Sequence, residues 1–353
     1  MCNTGVRMRT SETITGFNTR LPIVFFLLPM HLFSDSLVFL IEYELIGLMM
    51  MKKVFVRFMV LGVPALMLLT QGCFYYGPCV NGSGPLTSEI RDIRNFTGVT
   101  NTGSFEVYVS EADTFGVEVL AQENLLSIIE TYVSGGSLIV ETKNGACYRS
   151  GLPVEVHVSL PALDRLRLSG SGKILADVAD SPEVELSNSG SGVVEIDTVY
   201  AESYAVSNSG SGTISIDVAY VDEANLVQSG SGNIFGGIFY GTADLGVRHS
   251  SSGEVQSIVL DGTLVDVILS GSGKVELTGD AVVAEYTLNS SGRIDALNLE
   301  VADVDATSTG SGPMLVWATD LLDATITGSG DIIYRGSPAV STTITGSGSV
   351  RPY

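Results

Sequence analysis

Cationic and metal-binding side chains are scarce in this sequence. Its 353 residues include 18 Lys and Arg against 39 Asp and Glu, a formal net charge of −21. Nucleic-acid binding requires a basic surface that neutralises phosphates, so we expect no nucleic-acid partner. Only 3 His and 4 Cys are present, which argues against a zinc site. We therefore expect no metal and no cofactor.

The apolar run at residues 58–69 is too short to cross a membrane as a helix, which needs about 20 residues. A basic start at Met51-Lys52-Lys53 precedes it, as in a secretory signal. The ending Leu68-Leu69-Thr70-Gln71-Gly72-Cys73 resembles a bacterial lipobox. This resemblance implies a lipoprotein signal peptide over 51–72, cleavage before Cys73, lipid on its thiol and a membrane anchor. Residues 1–50 are then interpreted as a spurious upstream extension, and the alternative is a real N-terminal membrane segment.

Two cysteines remain for the exported part, Cys79 and Cys147. An even pair in an oxidising compartment predicts a disulfide. Residues 73–88 are rich in Gly and turn-forming residues, which indicates a tether. Residues 89–164 alternate in hydropathy without a fixed period, and we predict a β-rich cap there.

Ten copies of Ser-Gly-Ser-Gly or a close variant recur in the second half of the chain. They begin at Ser169, Ser189, Ser209, Ser229, Ser250, Ser270, Asn289, Thr309, Thr327 and Thr345, at intervals of 18 to 21 residues. A period of this size is typical of a solenoid, in which each repeat is one coil that packs against its neighbours.

Alternating hydropathy flanks each motif and predicts strands. Apolar residues lie five positions after every motif begins, the first four being Ile174, Val194, Ile214 and Ile234. Each coil is predicted to hold two short strands, one before the motif and one after it, with the motif as the corner. The fold class is therefore all-β, a parallel β-helix of about ten coils over residues 165–353.

Two features of the predicted interior need an explanation. The last glycine of the motif suits either a corner with positive φ or close packing between coils. The residue before the motif is polar in four successive coils, as Asn188, Asn208, Gln228 and His249. We predict that these side chains satisfy one another in an internal ladder, since buried polar groups are normally paired. The alternative is a binding or catalytic cleft.

Two exposed rows are the candidate ligand contacts. Tyr200, Tyr220 and Tyr240 recur at one phase of the repeat, and Asp177, Asp197 and Asp217 recur at another. A tyrosine stripe on a rigid rod can stack on sugar rings, or it can pack beneath a neighbouring loop. The aspartates suit turn positions.

Short motifs ahead of the repeats carry a family resemblance. They are Phe96-Thr97-Gly98-Val99, Gly103-Ser104-Phe105-Glu106-Val107, Glu123-Asn124-Leu125-Leu126, Gly136-Ser137-Leu138-Ile139 and Leu160-Pro161-Ala162-Leu163, leading into Leu166-Arg167-Leu168-Ser169-Gly170-Ser171-Gly172. In this order they resemble the GIN domain, an adhesin head domain, over roughly residues 89–350. The resemblance implies a right-handed parallel β-helix in an exported bacterial protein, often a lipoprotein, and implies no catalytic residues.

Three functions remain in competition. The leading hypothesis is a non-enzymatic, adhesin-like lipoprotein of the cell envelope, periplasmic or at the cell surface, that binds a glycan or an envelope protein. A β-helix lyase or glycosidase would need paired carboxylates, or calcium with a basic residue, and only the aspartate row offers carboxylates in repeat phase. The third hypothesis is an envelope scaffold that self-associates through its Thr-rich C-terminal coils. The sequence leaves the oligomeric state open.

Overall fold

The computed structural model describes residues 79–241 and 244–353, which fold almost entirely into strands. The predicted extension, signal peptide and lipidation site at 1–73 lie outside these ranges. The strands are β1 (Val80–Asn81), β2 (Leu86–Ile90), β3 (Gly98–Asn101), β4 (Glu106–Glu111), β5 (Gly116–Gln122), β6 (Ile129–Ser134), β7 (Ser137–Thr142), β8 (Tyr148–Arg149), β9 (Glu155–Leu160), β10 (Arg165–Leu168), β11 (Lys173–Asp180), β12 (Glu183–Asn188), β13 (Val193–Asn208), β14 (Thr213–Gln228), β15 (Asn233–Tyr240), β16 (Asp244–His249), β17 (Glu254–Leu269), β18 (Lys274–Leu288), β19 (Arg293–Ser308), β20 (Met314–Ile326), β21 (Ile332–Arg335), β22 (Ala339–Ile344) and β23 (Val350–Pro352). Single 3-10 turns occur at Leu126–Ile128 and Lys143–Gly145.

Successive coils stack in parallel, as the repeat predicts. Val193 of β13 lies opposite Thr213 of β14, and the same 20-residue offset continues to the ends of both strands. The column Ile174, Val194, Ile214 and Ile234 is in register and fully buried. The ten motif copies form ten corners, and nine complete turns of the helix lie between the first corner and the last. This is slightly fewer than the ten coils predicted.

Most coils are one nearly continuous strand with two bends, rather than two separate strands. β13 runs for 16 residues, and its pairing with β14 skips Asp197 and Glu202. The coil therefore has a third straight side between these residues, in which Val199 is the buried residue. A side of four residues with one inward side chain is too short to show alternation, which explains why the two-strand prediction missed it.

The first coils stack out of chain order. β3 lies between β7 and β10, and β4 lies between β9 and β11. The outermost parallel rung is thus built by residues that come later in the chain than the rung beneath it. The corner from β3 to β4 is Asn101-Thr102-Gly103-Ser104-Phe105. It is an additional motif copy, in which Phe105 replaces the final glycine, inside the segment that the sequence predicted to be a cap.

Antiparallel strands cover the N-terminal end of the helix. β5 pairs with β9 and β2, and β6 pairs with β7. The described part of the predicted tether, from Cys79, is held in place because β1 pairs with β8 and Cys79 forms a disulfide with Cys147, S–S 2.01 Å. Partners more than 60 residues away hold this Gly-rich segment, and its composition gives no sign of the pairing between β1 and β8. Among the described residues the antiparallel pairs cover the outer edges of β7 and β9, the outermost parallel strands, while β2 and β6 each pair with one strand.

The motif glycines allow the corners to stack closely. A Cβ atom on Gly212 would lie 2.0 Å from the carbonyl oxygen of Gly192 in the preceding coil. A contact that short is impossible, so backbone must shift for any larger residue. None of the motif glycines has a left-handed φ. Of the two roles that the sequence left open, close packing is therefore the one that the structure uses.

Candidate functional site

The polar column inside the helix binds the backbone of its own corners. Asn188 Nδ2 donates to the carbonyl oxygen of Gly192 at 2.9 Å, and its Oδ1 accepts from the Gly190 N–H at 3.0 Å. Asn208 repeats both contacts one coil later. The prediction that these side chains pair with one another was wrong. Each corner turns a carbonyl inward, and a buried carbonyl needs a donor.

Gln228 and His249 continue the column with different chemistry. The Gln228 amide donates to the carbonyl oxygens of Gly230 and Gly232. His249 Nε2 lies 2.7 Å from the carbonyl oxygen of Gly253, so that nitrogen carries a proton. Both side chains are at most 1% exposed. A surface ligand cannot reach them, and the alternative of a cleft at this column is excluded.

The tyrosine row is exposed and stacked on itself. The rings of Tyr200 and Tyr220 are 5.0 Å apart with planes 7° from parallel, and those of Tyr220 and Tyr240 are 5.1 Å apart at 15°. Each residue is 37–44% exposed. Because neighbouring rings cover each other's faces, the row presents ring edges and phenol groups to solvent. Stacking of a sugar on the middle ring, as the sequence suggested, is blocked by this arrangement.

The aspartate row occupies the first bend of each coil. Asp177, Asp197 and Asp217 are all exposed, and the pairing registers skip these positions. This is the turn role that their residue type favours. In the fourth coil the bend is Gly237, whose φ of 69° is left-handed and suits glycine.

Asp177 and Asp197 also line an open cleft of about 520 Å³ on the N-terminal part of the rod. Tyr108 of β4 and His157 of β9 form one wall, with ring centroids 5.0 Å apart and planes 8° from parallel. Ile90 of β2 projects beside them and is 82% exposed. Asp217 is not part of the lining. The cleft thus combines aromatic, apolar and acidic groups on one surface.

Hydrogen bonds hold the aromatic wall in place. Tyr108 Oη donates to Glu106 Oε2 at 3.2 Å, and His157 Nε2 lies 3.0 Å from Glu155 Oε2. Partial burial, together with the bond to Glu106, raises the pKa of Tyr108 above its usual value. The phenol therefore remains protonated, and the cleft meets a ligand with neutral Tyr108 beside the exposed carboxylates of Glu118 and Glu195.

Tyr108 and His157 were missing from the residues that the sequence singled out. They lie 49 positions apart and meet because β4 pairs with both β9 and β11. The available signal was alternation, since Tyr108 stands between the inward-facing Val107 and Val109. Alternation predicts that Tyr108 points outward, but it gives no hint of its neighbours.

The carboxylates of the cleft are better placed for ligand contact than for proton transfer. Asp177 and Asp197 belong to successive coils, which are about 4.8 Å apart, close to the separation used by retaining glycosidases. A general acid, however, needs buried or crowded surroundings to stay protonated, and both aspartates are exposed.

Within the described ranges, no three or more His, Cys, Asp and Glu side chains are grouped to hold a metal ion. No helix in those ranges has the length and apolar character needed to span a membrane.

Comparison with known proteins places the chain in a family. Solved structures similar to the chain include a "Putative lipid binding protein" from Parabacteroides distasonis (23% identity, TM-score 0.49) and a "putative adhesin" from Parabacteroides merdae (22%, 0.47). Each comparison covers 78% of this chain and 100% of the other. A search of curated proteins finds no match. The sequence profile of one family matches residues 95–257 and 238–338, and the chain belongs to that family, described as "Putative auto-transporter adhesin, head GIN domain".

Proposed function

We propose that this protein is a non-enzymatic, adhesin-like module of the cell envelope that binds a glycan or a protein through one side of its rod. The observation that carries the proposal is the row of Tyr200, Tyr220 and Tyr240, three large side chains exposed in register on a rigid sheet. Exposed aromatic side chains that form a contiguous group are typical of interaction surfaces.

The row and the cleft belong to the same run of coils. Tyr200 follows Asp197 by three residues on β13, and Asp197 lines the cleft. A ligand that extends along the rod can contact the cleft with one part and the phenol groups with another. Several weak contacts at the fixed spacing of the coils then add to a useful affinity.

Charge restricts the kind of ligand. The chain carries a net charge of −21, and four of its acidic side chains, Glu118, Asp177, Glu195 and Asp197, line the cleft. A polyanionic polysaccharide would be repelled by this surface. The ligand we propose is therefore a neutral or amine-bearing glycan, or a protein with a neutral or basic surface.

Export and anchoring complete the proposal. An adhesin acts outside the cytoplasm, and the Cys79–Cys147 disulfide suits an oxidising compartment. Lipid on Cys73 would hold the rod at a membrane through the residues that precede Cys79. The adhesin part of the proposal is supported by the family description. The lipid anchor is supported by the signal-like residues 51–73.

A glycan-array screen tests the binding role, with a pull-down from envelope extract for a protein ligand. Replacing all three row tyrosines by Phe keeps the stacked rings and removes only the phenol oxygens. We expect binding to fall at least tenfold in this variant with no change in melting temperature. Tyr132→Phe, on the exposed face of β6, is the matched control and should bind normally.

Catalysis is the outcome that would replace this proposal. Turnover of a polysaccharide by the purified protein, abolished in Asp197→Asn, would assign the cleft to a glycosidase or lyase. Unchanged ligand binding by the triple Phe variant and by Tyr108→Ala would show that the ligand contacts another surface.

A further inference from the structure

The two ends of the rod differ in strand pairing, which is antiparallel at the N-terminal end and parallel at the other. β5 and β6 cover the N-terminal end with antiparallel pairs. At the other end β22 pairs with β20 and β23 pairs with β21, and within the described residues neither has a strand on its outer side. β22 and β23 therefore present free N–H and C=O groups along their outer edges. Proteins usually cover or interrupt such an edge because it readily accepts another strand.

Core positions of the last coil are open to solvent. Val340, Thr342 and Ile344 continue the columns of Leu322, Ala324 and Ile326, which are fully buried one coil earlier. Val340 is 41% exposed and Ile344 is 44% exposed. These side chains point into the rod, where only another strand stacked on β22 would cover them.

Charge identifies a second copy of this chain as a suitable occupant. Residues 332–353 contain two arginines and no Asp or Glu, although the whole chain has 39 acidic side chains. Arg351 lies 3.9 Å from Asp331, and Arg335 covers the Trp317 ring at 3.9 Å. Two copies of so acidic a protein repel each other at most approaches, and residues 332–353 contribute no acidic side chain to that repulsion.

The strand is also compatible with pairing to itself. β22 has the sequence Ala339-Val340-Ser341-Thr342-Thr343-Ile344, without charge or proline. In an antiparallel pair, opposite residues point to the same face, so inward residues must oppose inward residues. Placing Thr342 opposite Thr342 of the second copy puts Val340 opposite Ile344 on both sides. This register has two-fold symmetry and joins the two interiors.

We propose that the protein forms a closed dimer by end-to-end pairing of β22 with β22 of a second copy, with Thr342 on the two-fold axis. The contact is isologous, so it ends at two chains instead of growing into a filament. In an envelope protein the dimer would present two copies of the tyrosine row on one doubled rod, which increases avidity for a repetitive ligand.

Sedimentation velocity of the full chain, carrying Cys2→Ser and Cys73→Ser, tests the dimer. We expect a concentration-dependent monomer–dimer equilibrium. Thr342→Lys places a charge that water solvates in the monomer but that the dimer would bury, so it should give only monomer, with the melting profile of wild type diluted to its monomeric state. Thr343→Lys, the outward-facing neighbour, is the matched control and should still dimerise. A wild-type protein that stays monomeric at all concentrations would overturn the proposal.

Disulfide trapping tests the register independently of whether Thr342→Lys folds. Opposed residues of an antiparallel pair have Cα atoms about 4.5–5.5 Å apart, a distance that a disulfide can bridge. Thr342→Cys in the same Cys-depleted chain should form a covalent dimer under mild oxidation. Thr343→Cys should not, because Ser341 is opposite it in this register. Equal trapping at both positions, or ladders of higher oligomers, would contradict a two-fold dimer paired at Thr342.

Discussion

Asn208 joins two coils through one amide group: its Nδ2 donates to the carbonyl oxygen of Gly212 at 2.9 Å and to that of Asn233 at 3.1 Å. Gly212 is in the corner that follows Asn208, and Asn233 begins β15 in the coil beyond. Asn188 makes the same pair of contacts, at 2.9 Å to Gly192 and 3.4 Å to Thr213. The buried amides therefore tie corners together along the rod axis.

Asn208→Leu should lower the free energy of unfolding by about 1–2 kcal/mol, since it leaves the inward carbonyl of Gly212 without its donor. Leucine occupies this position in other coils, at Leu168 and Leu269, so the fold should survive. Asn208→Asp should cost more, because a carboxylate cannot donate to either carbonyl and adds a buried charge. Urea denaturation measures both variants. If Asn208→Asp lowers the free energy of unfolding less than Asn208→Leu does, the amide donor of Asn208 contributes little to stability.

Gly212→Ala should destabilise the rod by about 1–3 kcal/mol, as expected for overpacking. Its new Cβ would meet the Gly192 carbonyl oxygen at 2.0 Å. Gly151→Ala is the matched control, because nothing lies within 4 Å of a Cβ at that site and its φ is not left-handed. The measurement is thermal unfolding of both variants beside the wild type. If Gly212→Ala and the wild type melt at the same temperature, neighbouring coils can move apart at this corner without loss of stability.

Reducing the Cys79–Cys147 disulfide should lower stability by up to about 4 kcal/mol, the loop-entropy value for its 68-residue separation. We expect β1 and β8 to lose protection from hydrogen exchange first, because the bond lies beside their pairing. Cys147→Ser should behave like the reduced protein, and Cys73→Ser should not. Peptide mapping without reductant that finds both thiols free would contradict the bond.

The last coil should loosen in acid. Hydrogen bonds from the Ser349 hydroxyl and N–H, at 2.8 and 2.9 Å, lower the pKa of Asp331 from its ordinary value of 3.8. Its ionised form therefore stabilises the folded coil above that value, and the effect is lost as the pH falls through the lowered pKa. Hydrogen-exchange protection factors of residues 345–353 should drop in this window. The same drop in Asp331→Asn, which does not titrate, would assign it to other groups.

Lipidation of Cys73 is expected from the signal-like residues before it. Cells fed a fatty-acid probe should label the wild-type protein and fail to label Cys73→Ser. Cys147→Ser is the control for loss of an unrelated cysteine, and its label should persist. A mature N-terminus mapped upstream of residue 51 would refute both the signal peptide and the interpretation of residues 1–50.

The sequence by itself determined the solenoid. Each coil contacts only its neighbours, so the same requirement for a buried Ile or Val, as at Ile174 and Val194, recurs at every repeat. Periodicity makes such a requirement visible without any knowledge of distant contacts. The exposure of Tyr200, Tyr220 and Tyr240 followed from the same register, as did their alignment in a row.

Only the tertiary structure decided how the exposed groups meet. Ring planes depend on side-chain rotation, so the sequence could not show that the tyrosines cover one another's faces. The cleft depends on the insertion of β4 between β9 and β11, a stacking out of chain order that the 20-residue period does not encode. The exposure of Val340 and Ile344 likewise follows from the place of β22 in the stack, where β20 is its one partner among the described residues. A repeat encodes contacts between equivalent positions, whereas its ends and its cap are built from contacts that occur once.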